Sequence, residues 1–301
     1  MIKEKIKGKV IRKIKGFYYV IKEDAKNLSK ENIFECKLRG SLKVKNSKLN
    51  CIIGDVVEFD EDEKVITKIF ERKNYLHRPL LSNIDFIGIL FAIENPKFDF
   101  INFQKMLLNS NYQNIPCILI LSKIDLVSKD ELNQFLEEFL KIFGNTVRVF
   151  PISIKGNFGI KELKDYIKRK SIVISGPSGA GKSSLINSLM GEELLATNDV
   201  SQKTKKGRHT TTESRFFMTD EHSYIIDTPG FSTLDFPRLK SKKELELLFP
   251  EFLEFLKNCK FRDCIHTNEP NCAIKENVQN HKIHKKRYDF YLYSLKNIKI
   301  K

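Results

Sequence analysis

Residues 176–183 restrict the fold of this chain more than any other part of it. The run Gly176-Pro177-Ser178-Gly179-Ala180-Gly181-Lys182-Ser183 fits the pattern G-x-x-x-x-G-K-[ST]. An apolar stretch, residues 172–175, leads into it, and a helical pattern over residues 182–190 leads out. Strand, glycine-rich turn and helix in that order bring backbone N–H groups together at a helix start, which suits an anion. In such a loop Lys182 reaches the β- and γ-phosphates of a nucleotide, and Ser183 ligates Mg²⁺. Ser184, in the first turn of the helix, belongs to the same candidate cradle.

The pattern around the loop predicts a parallel sheet. Apolar runs at residues 84–93, 117–121, 147–152, 172–175 and 224–226 alternate with helical patterns at 99–111, 129–143, 160–170 and 182–190. Ligand loops are then expected at the carboxyl ends of the strands. Ser122-Lys123-Ile124-Asp125 follows an apolar run directly. The Asp125 carboxylate suits the N1–H and N2–H donors of guanine, which adenine lacks, and the Lys123 stem can cover the base. The usual first residue of such a motif is Asn. Ser122 lacks the amide that would contact guanine N7 and brace the phosphate loop, so a weakened affinity is expected. Ser153-Ile154-Lys155 is similar to the loop that backs the guanine. Asp227, in Asp227-Thr228-Pro229-Gly230, closes another apolar run and is expected to hold Mg²⁺, with the Gly230 N–H near the γ-phosphate.

Each motif has a plainer reading. Asp125 would also serve as a helix N-cap, and Asp-Thr-Pro-Gly as a strand-ending turn. Their joint occurrence favours the nucleotide reading. Both base-side motifs precede the phosphate loop, whereas in ordinary GTPases they follow it. The chain therefore reads as a circularly permuted GTPase.

Downstream lies Cys259-x4-Cys264-x-His266-x5-Cys272. Three thiolates and an imidazole suit a tetrahedral Zn²⁺ site with no open position, hence a structural one. With this run, with Gly207-Arg208-His209-Thr210-Thr211-Thr212 and with Arg78-Pro79, the chain resembles the RsgA-type (YjeQ-type) small-ribosomal-subunit biogenesis GTPases over nearly its whole length. The resemblance implies an N-terminal OB-like barrel, a permuted α/β phosphate-loop GTPase domain and a C-terminal, mainly helical zinc domain, here drawn at residues 1–70, 71–237 and 238–301. It further implies His209 as the hydrolytic residue. Thr210 and Thr211 stand beside it, and one threonine of 210–212 would meet Mg²⁺. Phe231 occupies the position where a water-orienting Gln would stand, so slow intrinsic hydrolysis is expected.

Short apolar runs near residues 9–11, 17–21, 34–38, 56–59 and 65–69, punctuated by glycines, suggest five strands of a small barrel. Of Tyr18 and Tyr19, strand alternation puts at least one in the core. The formal charge is +15, with basic residues concentrated in residues 1–15 and 275–301. That distribution suggests a polyanion partner, and the charges of residues 282–287 are read as part of its footprint. The small ribosomal subunit and its rRNA are the expected partners, with GTP and GDP as ligands. Met1-Ile-Lys-Glu-Lys-Ile-Lys-Gly has no apolar core of a signal peptide, and no apolar run is long enough to span a bilayer. Cys36, Cys51 and Cys117 read as small core residues. A cytoplasmic monomer without membrane contact is expected. Two rival activities are a guanylate-kinase-like nucleotide kinase, whose loop is similar, and an RNA-binding assembly factor that does not hydrolyse GTP.

Overall fold

The computed structural model of the protein describes residues 5–42, 50–77, 79–191, 214–219, 223–228 and 235–300. The first five strands, β1 (Lys5–Ile14), β2 (Phe17–Lys22), β3 (Ile33–Leu38), β4 (Val56–Asp60) and β5 (Val65–Ile69), close into a barrel in the order β1-β2-β3-β5-β4. β3 pairs with β5 in parallel, and β4 returns to β1 antiparallel. That closed order is the OB arrangement rather than the SH3-like one. Alternate residues fill the interior: Val10, Val20, Cys36, Val57, Phe59 and Ile66 are fully buried. Tyr18 is buried with them, while Tyr19 faces outward and donates its hydroxyl to Glu35 at 2.6 Å.

A hairpin of β6 (Tyr75–His77) and β7 (Leu80–Ser82) links the barrel to a six-stranded sheet. Three-residue strands around a proline carry too little alternation to be read from sequence. The sheet comprises β8 (Phe86–Ala92), β9 (Cys117–Ser122), β10 (Arg148–Pro151), β11 (Ser171–Ser175), β12 (Arg215–Met218) and β13 (Tyr224–Asp227), in the order β10-β9-β8-β11-β13-β12. All neighbours are parallel except β12, which runs antiparallel to β13. The purely parallel expectation fails there because only five residues join β12 to β13. A parallel neighbour needs a crossover of a dozen or more.

Helices α1 (Phe100–Tyr112) and α2 (Lys129–Phe143) cover one face of the sheet, with Phe91, Phe103, Phe139 and Phe143 in the shared core. Helices α3 (Ile160–Tyr166) and α4 (Lys182–Met190) cover the other, packed on Ile118, Ile120, Ile172 and Ile174. Asp99 caps α1 by accepting from the N–H groups of Ile101 and Asn102, and Ser128 with Glu131 forms a capping box on α2.

The barrel sits against the amino ends of the sheet strands. Lys9 donates to the Ser171 hydroxyl at 2.8 Å and lies 4.2 Å from the Tyr224 ring centroid. Burial lowers its pKa to about 8, against the opposing pull of Asp85 and Glu23. Ile11, Ile21 and Ala25 pack on Met218 of β12 beside it. The nucleotide motifs are therefore at the far end of the same strands.

Past residue 235 the chain forms 3-10 turns at Lys242–Leu248, Pro250–Phe252 and Leu256–Asn258 rather than one continuous helix. Pro250 has no N–H to continue a helix and restarts the turn instead. Helices α5 (Ala273–Gln279) and α6 (Lys285–Asn297) complete the module around Phe249, Phe252 and Tyr291.

Helix α6 corrects the expectation that residues 282–287 face RNA as a block. Arg287 is 2% exposed; its Nε donates to Glu251 at 2.5 Å and its Nη1 to Gln104 at 2.9 Å, with Phe249 against the guanidinium. Lys286 pairs with Glu138 of α2, and Lys285 with Asp289. Lys286 and Arg287 thus join the last module to α2 and α1, while the Lys285 pair stays within α6 and exposed. Composition alone cannot separate a basic residue that seals an internal interface from one that meets a polyanion. Arg287→Ala is expected to destabilise the protein by roughly 2–3 kcal/mol, because buried Gln104 loses its donor and half-buried Glu251 loses its cation. Thermal or denaturant unfolding of the two proteins measures this.

Candidate nucleotide and metal sites

Glycines shape the loop after β11, by close approach at one position and by positive φ at others. A Cβ at Gly176 would stand 2.0 Å from the Leu90 carbonyl oxygen, so the loop passes flush against β8. Gly181 has φ +94° at the N-cap of α4. The cradle from Gly176 through Pro177, Ser178, Gly179 and Ala180 thus ends at a helix start, with Lys182 as its first residue and Ser183 and Ser184 exposed in the first turn.

Lys182 Nζ lies 2.9 Å from Asp227 Oδ1, at the carboxyl end of β13 next to the loop. The approach is Coulombic and not a directed hydrogen bond, and Oδ1 is one of three buried side-chain oxygens without a hydrogen-bond partner among the described residues. The other two, Ser175 Oγ and Thr228 Oγ1, lie at the ends of the adjacent strands β11 and β13. Buried polar atoms are nearly always paired, so two unpartnered hydroxyls grouped beside the Lys182–Asp227 ion pair fit a hydrated cation with a polyphosphate.

The base-side motifs meet the loop across β8. Ser122 is 1% exposed, and its Oγ lies 2.6 Å from the Ala180 carbonyl and 3.3 Å from that of Phe91. This corrects one expectation: a side-chain amide is not needed to brace the phosphate loop, since the hydroxyl does so. Lys123 has φ 59°, and its ammonium donates to the Asn95 carbonyl. Asp125 is oriented by the Ser153 hydroxyl at 2.5 Å, and Ser153 in turn accepts from the Gly156 N–H at 2.9 Å. The Ile124 N–H reaches the Ile152 carbonyl at 3.4 Å, which ties the two loops together. Ser122, Lys123, Asp125, Leu126, Ile154, Lys155, Ala180, Gly181 and Ser184 line one open pocket of about 360 Å³. The sequence-predicted base and phosphate residues therefore converge. His209, Thr210, Thr211, Thr212, Gly230 and Phe231 lie outside the described residues, as does Arg78.

The Cys/His cluster forms in the C-terminal module. Ligand atoms of Cys259, Cys264, His266 and Cys272 all lie within 4.8 Å of one another. The three sulfurs stand 3.6, 3.3 and 3.3 Å from His266 Nδ1. On the other side of the ring, Nε2 meets Glu246 Oε2 at 2.9 Å in a buried contact. An Nε2–H donated to that carboxylate leaves the Nδ1 lone pair facing the sulfurs, the tautomer a metal ligand needs. Lys243 balances Glu246 at 2.9 Å and donates to the Cys264 carbonyl. Burial pushes the Cys264 thiol up to about 12 and raises that of Cys272 as well. Thiols so placed lose their protons only to a cation at the centre. The cluster thus fits a metal. Glu246 was missed from sequence because it lies twenty residues before His266 with no spacing pattern to connect them.

Three findings place this geometry among known proteins. The model of the RsgA GTPase family matches residues 69–237, and that of the RsgA N-terminal domain matches residues 7–67. A protein from Fusobacterium nucleatum named small ribosomal subunit biogenesis GTPase RsgA is 43% identical over 94% of this chain and 96% of its own length. One of the same name from Clostridium beijerinckii is 40% identical over 97% of each. Among solved structures, YjeQ from Thermotoga maritima is similar with a TM-score of 0.80 and 29% identity, covering 97% of this chain and 98% of that one. YloQ, described as a circularly permuted GTPase, is similar with a TM-score of 0.75 and 27% identity over 98% and 95%.

Proposed function

This chain belongs to the RsgA GTPase family, and on that premise we propose that it is a GTP hydrolase that binds the small ribosomal subunit and uses GTP hydrolysis to time its own release during subunit maturation. The observation that carries the nucleotide part is the junction of Ser122 with Ala180, which joins a guanine-reading loop to a phosphate loop in one pocket. The subunit as partner is supported by the names of relatives that match along nearly the whole length. The kinase reading of the loop is set aside, since the matches run through the permuted domain. Domain limits of 1–70, 71–237 and 238–301 form part of this reading, supported by family matches that end at 67 and 237.

In the proposed mechanism, Asp125 accepts the guanine N1–H and N2–H, Lys123 covers the base, and Ser153-Ile154-Lys155 backs it. The loop N–H groups and Lys182 stabilise the charge that spreads over the transferred phosphoryl oxygens. Ser183 and Asp227, with one threonine of 210–212, would hold Mg²⁺. The ion held there would supply neutralisation of charge on the phosphates. Gly230 contacts the γ-phosphate through its N–H, and His209 orients the attacking water. Cys259, Cys264, His266 and Cys272 would hold one structural Zn²⁺ through three sulfurs and one nitrogen. The protein works as a cytoplasmic monomer; among the described residues no helix is long and apolar enough to cross a membrane.

His209→Ala is expected to keep GTP affinity and subunit binding but to lose ~100-fold or more of the subunit-stimulated rate, in the range of general acid–base and water-positioning groups. Single-turnover hydrolysis of both proteins at saturating small subunits reads this out. Equal stimulated rates would remove His209 from the mechanism.

A further inference from the structure

We propose that this protein recognises guanine through its N1 and N2 donors and gives N7 no directed hydrogen bond, because Ser122 turns its single proton to the phosphate loop. The inference rests on the base-reading role proposed for Asp125. A serine hydroxyl carries one donor. Ser122 Oγ is buried between two acceptors, the carbonyls of Ala180 at 2.6 Å and Phe91 at 3.3 Å, so the proton goes to one of them and the shorter contact is the Ala180 carbonyl. What the hydroxyl has left to offer is lone pairs, and guanine N7 is itself only an acceptor.

The direction of the base follows from its two fixed ends. The N1 and N2 donors belong to the six-membered ring and lie on Asp125, which Ser153 holds in place. N9 must turn toward Ala180, Gly181 and Lys182, since the ribose and phosphates follow it. On this proposal the N7 edge of the five-membered ring lies at the strand end where Ser122 stands, between Asp125 and Ala180, a placement that the Ser122→Asn arm of the test below checks. Of the remaining side-chain donors that line the pocket, the Lys123 ammonium is engaged with the Asn95 carbonyl. Lys155 and Ser184 are exposed. A bond from an exposed donor replaces one to water and gains little. The residue at position 122 therefore acts as a brace between base loop and phosphate loop, and base choice falls to Asp125.

The test uses guanosine diphosphate, its 7-deaza analogue, in which N7 becomes C–H, and inosine diphosphate, which lacks the N2 amine. Each is titrated calorimetrically into the full-length protein. The wild type is expected to bind GDP and 7-deaza-GDP within about threefold of each other, since a net hydrogen bond is worth about a factor of five. It is expected to bind inosine diphosphate at least ~10-fold more weakly than GDP. Ser122→Asn adds an amide donor and is expected to prefer GDP over the 7-deaza analogue by more than about threefold. A wild-type preference for GDP over 7-deaza-GDP beyond that factor would overturn the proposal. A folded Ser122→Asn protein without the new preference would also overturn it, by placing N7 out of reach of residue 122. If that variant does not fold, the wild-type comparison decides alone. Inosine diphosphate binding as well as GDP would instead overturn the role of Asp125, a failure distinct from one of N7 discrimination.

Discussion

Replacing Asp125 by Asn is expected to weaken GTP binding by ~100-fold or more and to raise the affinity for xanthosine triphosphate. The carboxylate is held toward the pocket by the Ser153 hydroxyl at 2.5 Å. It can accept two charge-assisted hydrogen bonds from guanine, each worth roughly 1.5–3 kcal/mol. An amide in its place still accepts from N1–H but sets its own N–H against the N2 amine. Xanthine offers a carbonyl oxygen at C2, which that N–H can satisfy. Ser153 tolerates the exchange, because its hydroxyl also finds the amide oxygen. Calorimetric titration of GTP and xanthosine triphosphate into both proteins measures the switch. An unchanged order of preference would show that Asp125 does not read the base.

Removal of the metal is expected to unfold the C-terminal module while nucleotide binding survives. Cys264→Ala, or treatment of the wild type with a strong chelator, should produce the same result. Structural Zn²⁺ sites contribute apparent binding energies of ~10–16 kcal/mol at neutral pH, which exceeds the stability of most small modules. Here Cys264, Cys272 and His266 are almost wholly buried within the core that holds Phe249, Phe252 and Tyr291, so their loss opens that core. The pH dependence has a definite sign. Burial raises the Cys264 and Cys272 thiols, so metal binding displaces protons and weakens as pH falls. Far-ultraviolet circular dichroism, metal analysis and GDP titration on the same samples separate loss of the module from loss of the whole fold. A chelated protein that keeps its full helical signal would contradict this.

The parts of the fold legible in sequence are those where one pattern has one physical solution. The apolar runs that became β8, β9, β11 and β13 are buried on both faces, so they read as continuous hydrophobic segments. The phosphate loop is legible because a Cβ at Gly176 would strike the Leu90 carbonyl and Gly181 takes a positive φ that L side chains rarely adopt. Contacts between distant segments were not legible. The Ser122 hydroxyl replaces an amide brace only because the Ala180 carbonyl lies within reach, a fact of tertiary packing. Arg287 read as part of an RNA-facing run, yet it is sealed between α1, α6 and Phe249. Glu246 escaped notice for the same reason, since nothing in its local sequence ties it to His266. Residue type declared the chemistry of the sites, and packing decided which residues of that type serve them.

The central claim is that hydrolysis is slow in the free protein and accelerated on its partner. Single-turnover hydrolysis of GTP by the wild type, alone and with saturating purified small ribosomal subunits, tests it most directly. The free protein is expected to turn over far below the ~10 per second of a typical enzyme, and subunits are expected to raise the rate at least ~10-fold, equivalent to ~1.4 kcal/mol of barrier. Equal rates with and without subunits would contradict the account.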